Sequence, residues 1–354
     1  MPNKGKKIAR IKDIAALAEV SPGTVDRVIH NRGKVSEQAR ERVLKSMKEL
    51  NYEPNIMARA LVSSGEYRIA ALIPDPSNDE YWEAPNRGVD QAAEEMRQYG
   101  VVVDKYLFHQ EEVQSFRERA TRISDMSYNG ILVAPMFYRE SLSFLNRWSK
   151  EGIPFNLFNT HIPDYQPVSY VGQDSYQSGV LAGKLLHYGC EKGTLVVAHI
   201  DKEISNLTHL IRKEQGFIDY FGENNDSGRI KIVRIEINDW EDKETCQKNL
   251  DALFEKYSDI RGFFVTNSRS YILGDYFNLR SLDGIKLVGY DLLSRNLSFL
   301  NSGTIDFLIN QNPQGQGYLG VTMLVDHLVF KKEVEPIKYL PLDVVTKENV
   351  QYYI

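Results

Sequence analysis

Between Tyr67 and Asn310 the chain alternates short apolar, β-rich runs with stretches of helical periodicity, and it does so in two successive series. In the first, Arg68 to Ile73, Val101 to Leu107, Ile131 to Ala134 and Phe155 to Phe158 read as strands, with helical patterns beginning near Tyr81, Glu112, Arg139 and Tyr176. In the second, Leu195 to His199, Ile230 to Ile235, Gly262 to Thr266 and Leu287 to Tyr290 read as strands, and Ile305 to Asn310 follows them. Runs this continuously apolar are buried on both faces, which a parallel sheet covered by helices provides. Two series imply two α/β lobes. Ligands of such sheets bind outside the carboxyl ends of the strands, so the expected site is the cleft where the two sets of strand ends face each other.

The first sixty residues are of another kind. Ile11, Ile14, Ala15 and Ala18 form one helical face. Ser21-Pro22 supplies an N-cap followed by proline at the first helical position, and Val25, Val28 and Ile29 point inward from the helix that follows. Asn31-Arg32-Gly33 breaks it, and Ser36 is placed to cap a third helix whose Ala39, Val43, Met47 and Leu50 share a stripe. Two short helices across a tight turn, with a third in support, form a helix-turn-helix, whose second helix enters the DNA major groove. The charge distribution agrees. Residues 1–60 carry 13 Lys+Arg against 7 Asp+Glu, within a chain of net charge −5. A basic head on an acidic body suits a polyanion partner for the head alone.

The head motifs Ile11-Lys-Asp-Ile-Ala-Ala-Leu-Ala18, Val20-Ser21-x-x-Thr24-Val25-x-Arg27-Val28, Val35-Ser36 and Leu50-Asn51-Tyr52-x-Pro54-Asn55 resemble the lactose-repressor (LacI/GalR) family at nearly every fixed position. The continuation Ala58-Arg59-Ala60-Leu61 resembles that family's hinge helix. The resemblance implies a homodimer on a palindromic double-stranded operator, with Ser21, Pro22, Gly23, Thr24, Arg27, His30 and Asn55 at the DNA. Ala58 and Leu61 would lie in the minor groove, Leu61 as a wedge. Arg27 can donate two hydrogen bonds to guanine, and Ser21 and Thr24 suit phosphates. The chain departs from the family at Asp26, where serine is usual, and at His30, where asparagine is usual. Pro22 and Gly23 offer no side-chain donor.

The residues after the body's strands resemble the periplasmic sugar-binding-protein fold that forms the family's effector domain. That resemblance implies effector contacts from Asn78 and Tyr81 after the first strand, Asn159 after the fourth, Trp240, Asn267, Asp291 and Gln311. Arg212 and Lys213 both compete for a cationic position, and Lys213 has the matching offset from Gly216. A carboxylate that accepts paired hydroxyls, amides that donate and accept, and aromatic faces over C–H surfaces all suit a sugar or sugar derivative. Thr160, Ala134 and Ser268 replace the family's usual arginine, asparagine and aspartate, and the expected pocket, with one carboxylate, one cation and several amides, favours a neutral sugar or derivative.

Other chemistries lack their residues. Gly315-Gln-Gly-Tyr-Leu-Gly320 matches a dinucleotide fingerprint but comes too late for a sheet to be completed after it. There is no H-E-x-x-H, G-x-S-x-G or C-x-x-C pattern, and Cys190 and Cys246 make no framework. No metal and no cofactor is expected, and no enzyme. His199 and His209 are expected as structural or pocket-rim groups. No apolar run approaches the ~20 residues of a membrane helix, and Met1 to Lys12 lacks a secretory apolar core, so a cytoplasmic protein is expected. The expected organisation is a helix-turn-helix domain at 1–52, a hinge helix and linker at 53–66, and a two-lobed effector and dimerisation domain at 67–354. A ligand-controlled transcription regulator, expected to repress, accounts for both halves. A solute-binding protein of sugar uptake accounts only for the body, and a regulator answering to a non-sugar corepressor is the other alternative.

Overall fold

The computed structural model describes residues 11–29, 33–50, 66–202, 206–224 and 228–354. His30, Asn55, Ala58 and Leu61, and the hinge expected at 53–66 apart from Glu66, lie outside the described residues. The chain divides into two compact units at residues 64 and 65, and each is taken by itself.

In the first unit, α1 (Ile11–Leu17), α2 (Pro22–Ile29) and α3 (Glu37–Glu49) enclose a small core of Ile14, Ala15, Ala18, Val25, Val28 and Val43. The turn between α1 and α2 places Glu19 in the left-handed region at φ 52°, and the Val20 N–H returns to the Ala15 carbonyl at 3.0 Å. Ser21 caps α2 as its sequence position implies: its Oγ accepts from the Thr24 N–H at 3.1 Å. Ser36 has the extended backbone of an N-cap but its side chain accepts no cap hydrogen bond. There the carbonyl alone receives the first helical N–H groups, from Ala39 and Arg40.

The second unit contains two six-stranded sheets. Lobe 1 holds β1 (Tyr67–Pro74), β2 (Val101–Phe108), β3 (Gly130–Val133), β4 (Phe155–Phe158) and β5 (Ser169–Gly172), with β11 (Ile337–Tyr339) returning to its edge. The order is β11-β5-β4-β3-β1-β2, parallel throughout. Lobe 2 repeats the plan with β6 (Gly193–His199), β7 (Ile230–Glu236), β8 (Ile260–Val265), β9 (Lys286–Tyr290), β10 (Phe307–Asn310) and β12 (Asp343–Val345), in the order β12-β10-β9-β8-β6-β7. Only β12 runs antiparallel, against β10. The strand expected at 305–310 begins two residues later. β5, β11 and β12 are additions to the sequence reading, being three or four residues long and without a distinctive pattern.

The helices complete each lobe from both halves of the chain. α4 (Glu83–Met96), α5 (Val113–Ser124) and α6 (Tyr138–Lys150) follow β1, β2 and β3, while α7 (Ser175–His187) crosses over after β5 to pack on lobe 2. There it meets α8 (Thr208–Glu223), followed by α9 (Lys243–Lys256), α10 (Tyr271–Arg280) and α11 (Ser294–Ser302). The last helix, α12 (Pro313–Leu328), crosses back after β10 to lie against α4 in lobe 1. Both helix crossings depend on glycine. A Cβ on Gly317 would stand 2.2 Å from the Pro85 carbonyl oxygen, and one on Gly179 would stand 1.9 Å from that of Lys213. The Gly315–Gly320 pattern is therefore a helix-packing motif, with Gly317 against α4 and Gly320 against Leu132.

Candidate functional site

The carboxyl ends of both sheets open into one cleft, which in this lobe arrangement is narrow, a cavity of about 50 Å³, below the ~300–1,000 Å³ of open small-molecule sites. Because the lobes share a topology, the loops after equivalent strands face one another. Asn159 follows β4 and Asp291 follows β9, each at φ 66°. Each also sends its backbone N–H to the neighbouring strand, Asn159 to the Val171 carbonyl and Asp291 to the Ile309 carbonyl. Left-handed backbone at a non-glycine residue costs free energy, and such strain clusters where side chains must be aimed.

Asp291 is the centre of the lobe 2 wall. It is 1 % exposed. Its Oδ2 accepts from Gln311 Nε2 at 2.7 Å, while its Oδ1 is buried and makes no hydrogen bond of ordinary geometry among the described residues. Burial pushes this carboxyl well above the ordinary aspartate range, and Lys213 and Gln311 oppose that shift. Lys213 is buried too. Its Nζ donates to the Thr266 carbonyl at 3.1 Å and to Gln311 Oε1 at 3.4 Å, and stands 3.5 Å from the centre of the Tyr290 ring. Burial draws its ammonium down from the ordinary lysine range, and the charge of Asp291 holds it up. Gln311 thus bridges the two charges. One helical turn before Lys213, His209 also lines the cleft, and its Nδ1 lies 3.2 Å from Thr160 Oγ1 of lobe 1. Burial and the neighbouring Lys213 push its pKa down to about 3, so it is a neutral imidazole.

Lobe 1 contributes a hydrogen-bonded series. Asn159 Nδ2 donates to the Tyr81 hydroxyl at 2.6 Å, and the Tyr81 N–H donates to Asp79 Oδ1 at 2.9 Å. Trp82 Nε1 donates to Gln110 Oε1, and Gln110 Nε2 donates to Asp79 Oδ2, both at 2.8 Å. From Asp79 the series crosses the cleft to Arg269, whose Nη2 lies 3.2 Å from Asp79 Oδ2 and 3.7 Å from Glu111 Oε1. Arg269 Nη1 donates to Asp201 Oδ2 at 2.7 Å and to the Ile200 carbonyl at 3.1 Å. Burial works against this guanidinium's charge, and Asp201 and Asp79 outweigh it, raising its pKa. A second tie joins Lys202 to Glu111 and Glu241, and Glu80 of lobe 1 accepts from the N–H and hydroxyl of Ser294.

Of the residues expected in the effector site, Tyr81, Asn159, Lys213, Asn267, Asp291 and Gln311 come together here. Three do not. Asn78 is exposed, because its N–H closes a turn onto the Asp75 carbonyl at 3.2 Å and turns it outward, leaving Asp79 to face the cleft. Arg212 is exposed on α8, since adjacent helix positions point about 100° apart and Lys213 holds the inward one. Trp240 does not line the cleft: the Arg269 guanidinium lies 4.5 Å from its ring centre and covers it. Sequence reasoning missed Asp79, Trp82, Gln110, Asp201 and Arg269. Each follows a strand, which was an available signal, but charge pairing among them is a property of the assembled lobes. His199 has a structural place, between Thr266 Oγ1 at 2.9 Å and Glu214 Oε2 at 2.8 Å.

In the head, Ser21, Pro22, Gly23 and Arg27 are exposed along one side of α2, with Thr24 partly so. Arg27 folds along its own helix, its Nε donating to the Gly23 carbonyl at 3.1 Å. Among the described residues there is no cluster of His, Cys, Asp and Glu that could hold a metal ion, and no helix is long and apolar enough to cross a membrane.

A helix-turn-helix head joined in one chain to a two-lobed body with a polar, buried cleft defines the class of regulators that pair a nucleic-acid-binding module with a ligand-binding one. The family models divide the chain the same way: bacterial regulatory proteins of the lacI family match residues 10–55, and a periplasmic binding protein domain matches residues 69–332. The chain belongs to the LacI family of bacterial transcription regulators. It is 33% identical over 192 residues to the HTH-type transcriptional regulator MalR of Streptococcus pneumoniae, covering 51% of this chain and 55% of that protein, so the match spans about half of that relative's length. It is 25% identical over 352 residues to the ribose operon repressor of Halalkalibacterium halodurans, covering 96% and 97% of the two chains. Among solved structures, one from Bacteroides fragilis described as a LacI transcriptional regulator superposes with a TM-score of 0.73 at 28% identity, over 82% of this chain and all of that one. The glucose-galactose binding protein GanP of Geobacillus stearothermophilus shares the fold, with a TM-score of 0.71 at 23% identity over 81% and 99%.

Proposed function

We propose that this protein is a homodimeric repressor that binds a palindromic operator through its basic head and changes operator affinity when a sugar or sugar derivative occupies the cleft. The observation that carries the ligand half is Asp291, a buried carboxylate at a strand end with one oxygen unpartnered. Leaving a buried acceptor unsatisfied costs about 1–3 kcal/mol, and a ligand hydroxyl removes that cost. Asn159, His209 and Gln311 around it offer amides and a neutral ring nitrogen, which donate and accept as hydroxyl groups do.

The mechanism is linkage. An effector that binds one lobe arrangement better than another shifts the population toward it, and if the operator prefers the other arrangement each ligand weakens the other by the same factor. A coupling of about 1–3 kcal/mol gives a 5–150-fold change in operator affinity. The exposed side of α2, with Ser21, Thr24 and Arg27, is the surface assigned to the operator, Arg27 reading a base and the hydroxyls holding phosphates. The test is a gel shift on labelled operator fragments selected from random DNA, with and without a carbohydrate panel. Retarded operator whose fraction changes with one sugar is expected. Operator binding that no sugar alters would remove the sugar from the reading, and failure to select any sequence would remove the operator.

A further inference from the structure

An aromatic face beside a carboxylate is the usual means of gripping a sugar ring, and Trp240 lies next to the cleft, behind Arg269. In the structure that face is already taken. The Arg269 guanidinium lies over the Trp240 ring at 4.5 Å and is 5 % exposed. It is held from both sides of the cleft, by Asp201 of lobe 2 at 2.7 Å and by Asp79 and Glu111 of lobe 1 at 3.2 and 3.7 Å. Moving it aside would leave the partly buried carboxylates of Asp79 and Asp201 without their ion-pair partner, Glu111 keeping Lys202, so a ligand cannot displace it cheaply. The open hydrogen-bonding capacity lies elsewhere, at Asp291 Oδ1 beside Gln311, Asn159 and His209. Among the described residues lining the cleft both cations are engaged: Arg269 is held by carboxylates, and Lys213 donates to Thr266 and Gln311 beside the charge of Asp291.

We infer that Arg269 is a specificity-determining residue that closes the cleft off from Trp240, restricting the effector to a neutral, single-ring sugar held at the Asp291 end and excluding two-ring sugars. This rests on the sugar reading above. It goes beyond that reading by assigning a residue to size selection and by naming the class selected.

The test uses the full chain in thermal-shift and calorimetric titrations with D-glucose, D-galactose, D-ribose and D-arabinose, set against maltose, lactose and sucrose. The parent should bind at least one single-ring sugar and none of the three disaccharides. Arg269→Ala combined with Asp79→Asn removes the plug together with part of the charge it balances, and should raise affinity for a disaccharide relative to its constituent monosaccharide by about tenfold or more. Arg269→Gln is the control. It loses the same charge but keeps most of the volume, so it should keep the single-ring preference even if its melting temperature falls. Disaccharide binding by the parent as tight as that of the monosaccharide would overturn the inference and leave the sugar reading standing. An unchanged preference in a folded double variant, or a preference lost equally in Arg269→Gln, would do the same. Binding of no sugar by the parent, with operator binding intact, would overturn both.

Discussion

Asp291 gives the sharpest perturbation in the body. Asp291→Ala deletes the acceptor that Gln311 Nε2 reaches at 2.7 Å and the Oδ1 that meets nothing else. Hydroxyls desolvated on entering the cleft would then find no acceptor, a loss of about 1–3 kcal/mol. At 1.4 kcal/mol per tenfold, effector affinity should fall roughly 5- to 150-fold. The substitution also acts on Lys213, whose buried ammonium loses the charge that holds its pKa up, so in the variant Lys213 becomes neutral at a lower pH. Asp291→Asn separates the two effects. It keeps one oxygen as the acceptor for Gln311 and removes the charge, so a ligand hydroxyl meets an amide N–H that it can accept from, while Lys213 is altered as in the alanine variant. The assay is an effector titration of each folded variant on labelled operator, with melting temperature recorded alongside. The expected order of midpoints is parent, Asp291→Asn, Asp291→Ala, with operator affinity in the absence of effector near that of the parent. An unchanged midpoint in folded Asp291→Ala would refute the assignment of the ligand to this carboxylate.

The remaining predictions address pH, DNA and packing. His209 falls from an ordinary value of 6.5 to about 3 in the folded chain, so the unfolded chain binds the additional proton between those values and stability is lost as pH falls from about 6.5 to about 3. Removing the imidazole with His209→Gln should flatten that part of the acid limb in pH-dependent urea melts, and an unaltered limb would contradict its burial as a neutral ring. Arg27 is exposed and, among the described residues, its Nε bonds along its own helix, so Arg27→Ala should leave the head folded by circular dichroism while costing about 1–3 kcal/mol of operator affinity and relaxing base preference at one position. With the basic head as the contact, log affinity should fall linearly with log salt, and a flat plot would exclude the head as a DNA-binding surface. Gly317→Ala would bring a Cβ to 2.2 Å from the Pro85 carbonyl oxygen, a backbone atom that cannot rotate away. It should destabilise the body by about 1–3 kcal/mol or more in chemical melts; a neutral effect would mean that α4 and α12 separate without penalty.

What the sequence determines by itself is whatever rests on local periodicity and capping. The helix-turn-helix head is legible because Ile14, Val25 and Val43 recur at helical spacing, and because Ser21 caps α2 within three residues of its own position. The double α/β plan is legible because the inner strands of each lobe are continuously apolar, as a covered parallel sheet requires; β2, expected to be buried on both faces, is instead an edge strand and only partly buried, as is β7. β5, β11 and β12 were not legible, since strands of three or four residues carry no period long enough to read. Within the site, strand ends identified Asn159, Asp291 and Gln311, because topology brings the ends of parallel strands to one cleft. Which of two neighbouring residues faces that cleft was decided by the turn at Asp75, which put Asp79 inward in place of Asn78, and by the phase of α8, which chose Lys213 over Arg212. The covering of Trp240 by Arg269 could be decided only in three dimensions. It needs Asp79 and Glu111 from one lobe and Asp201 from the other, up to 190 residues apart in sequence, and charge pairing over that separation leaves no local pattern in the chain.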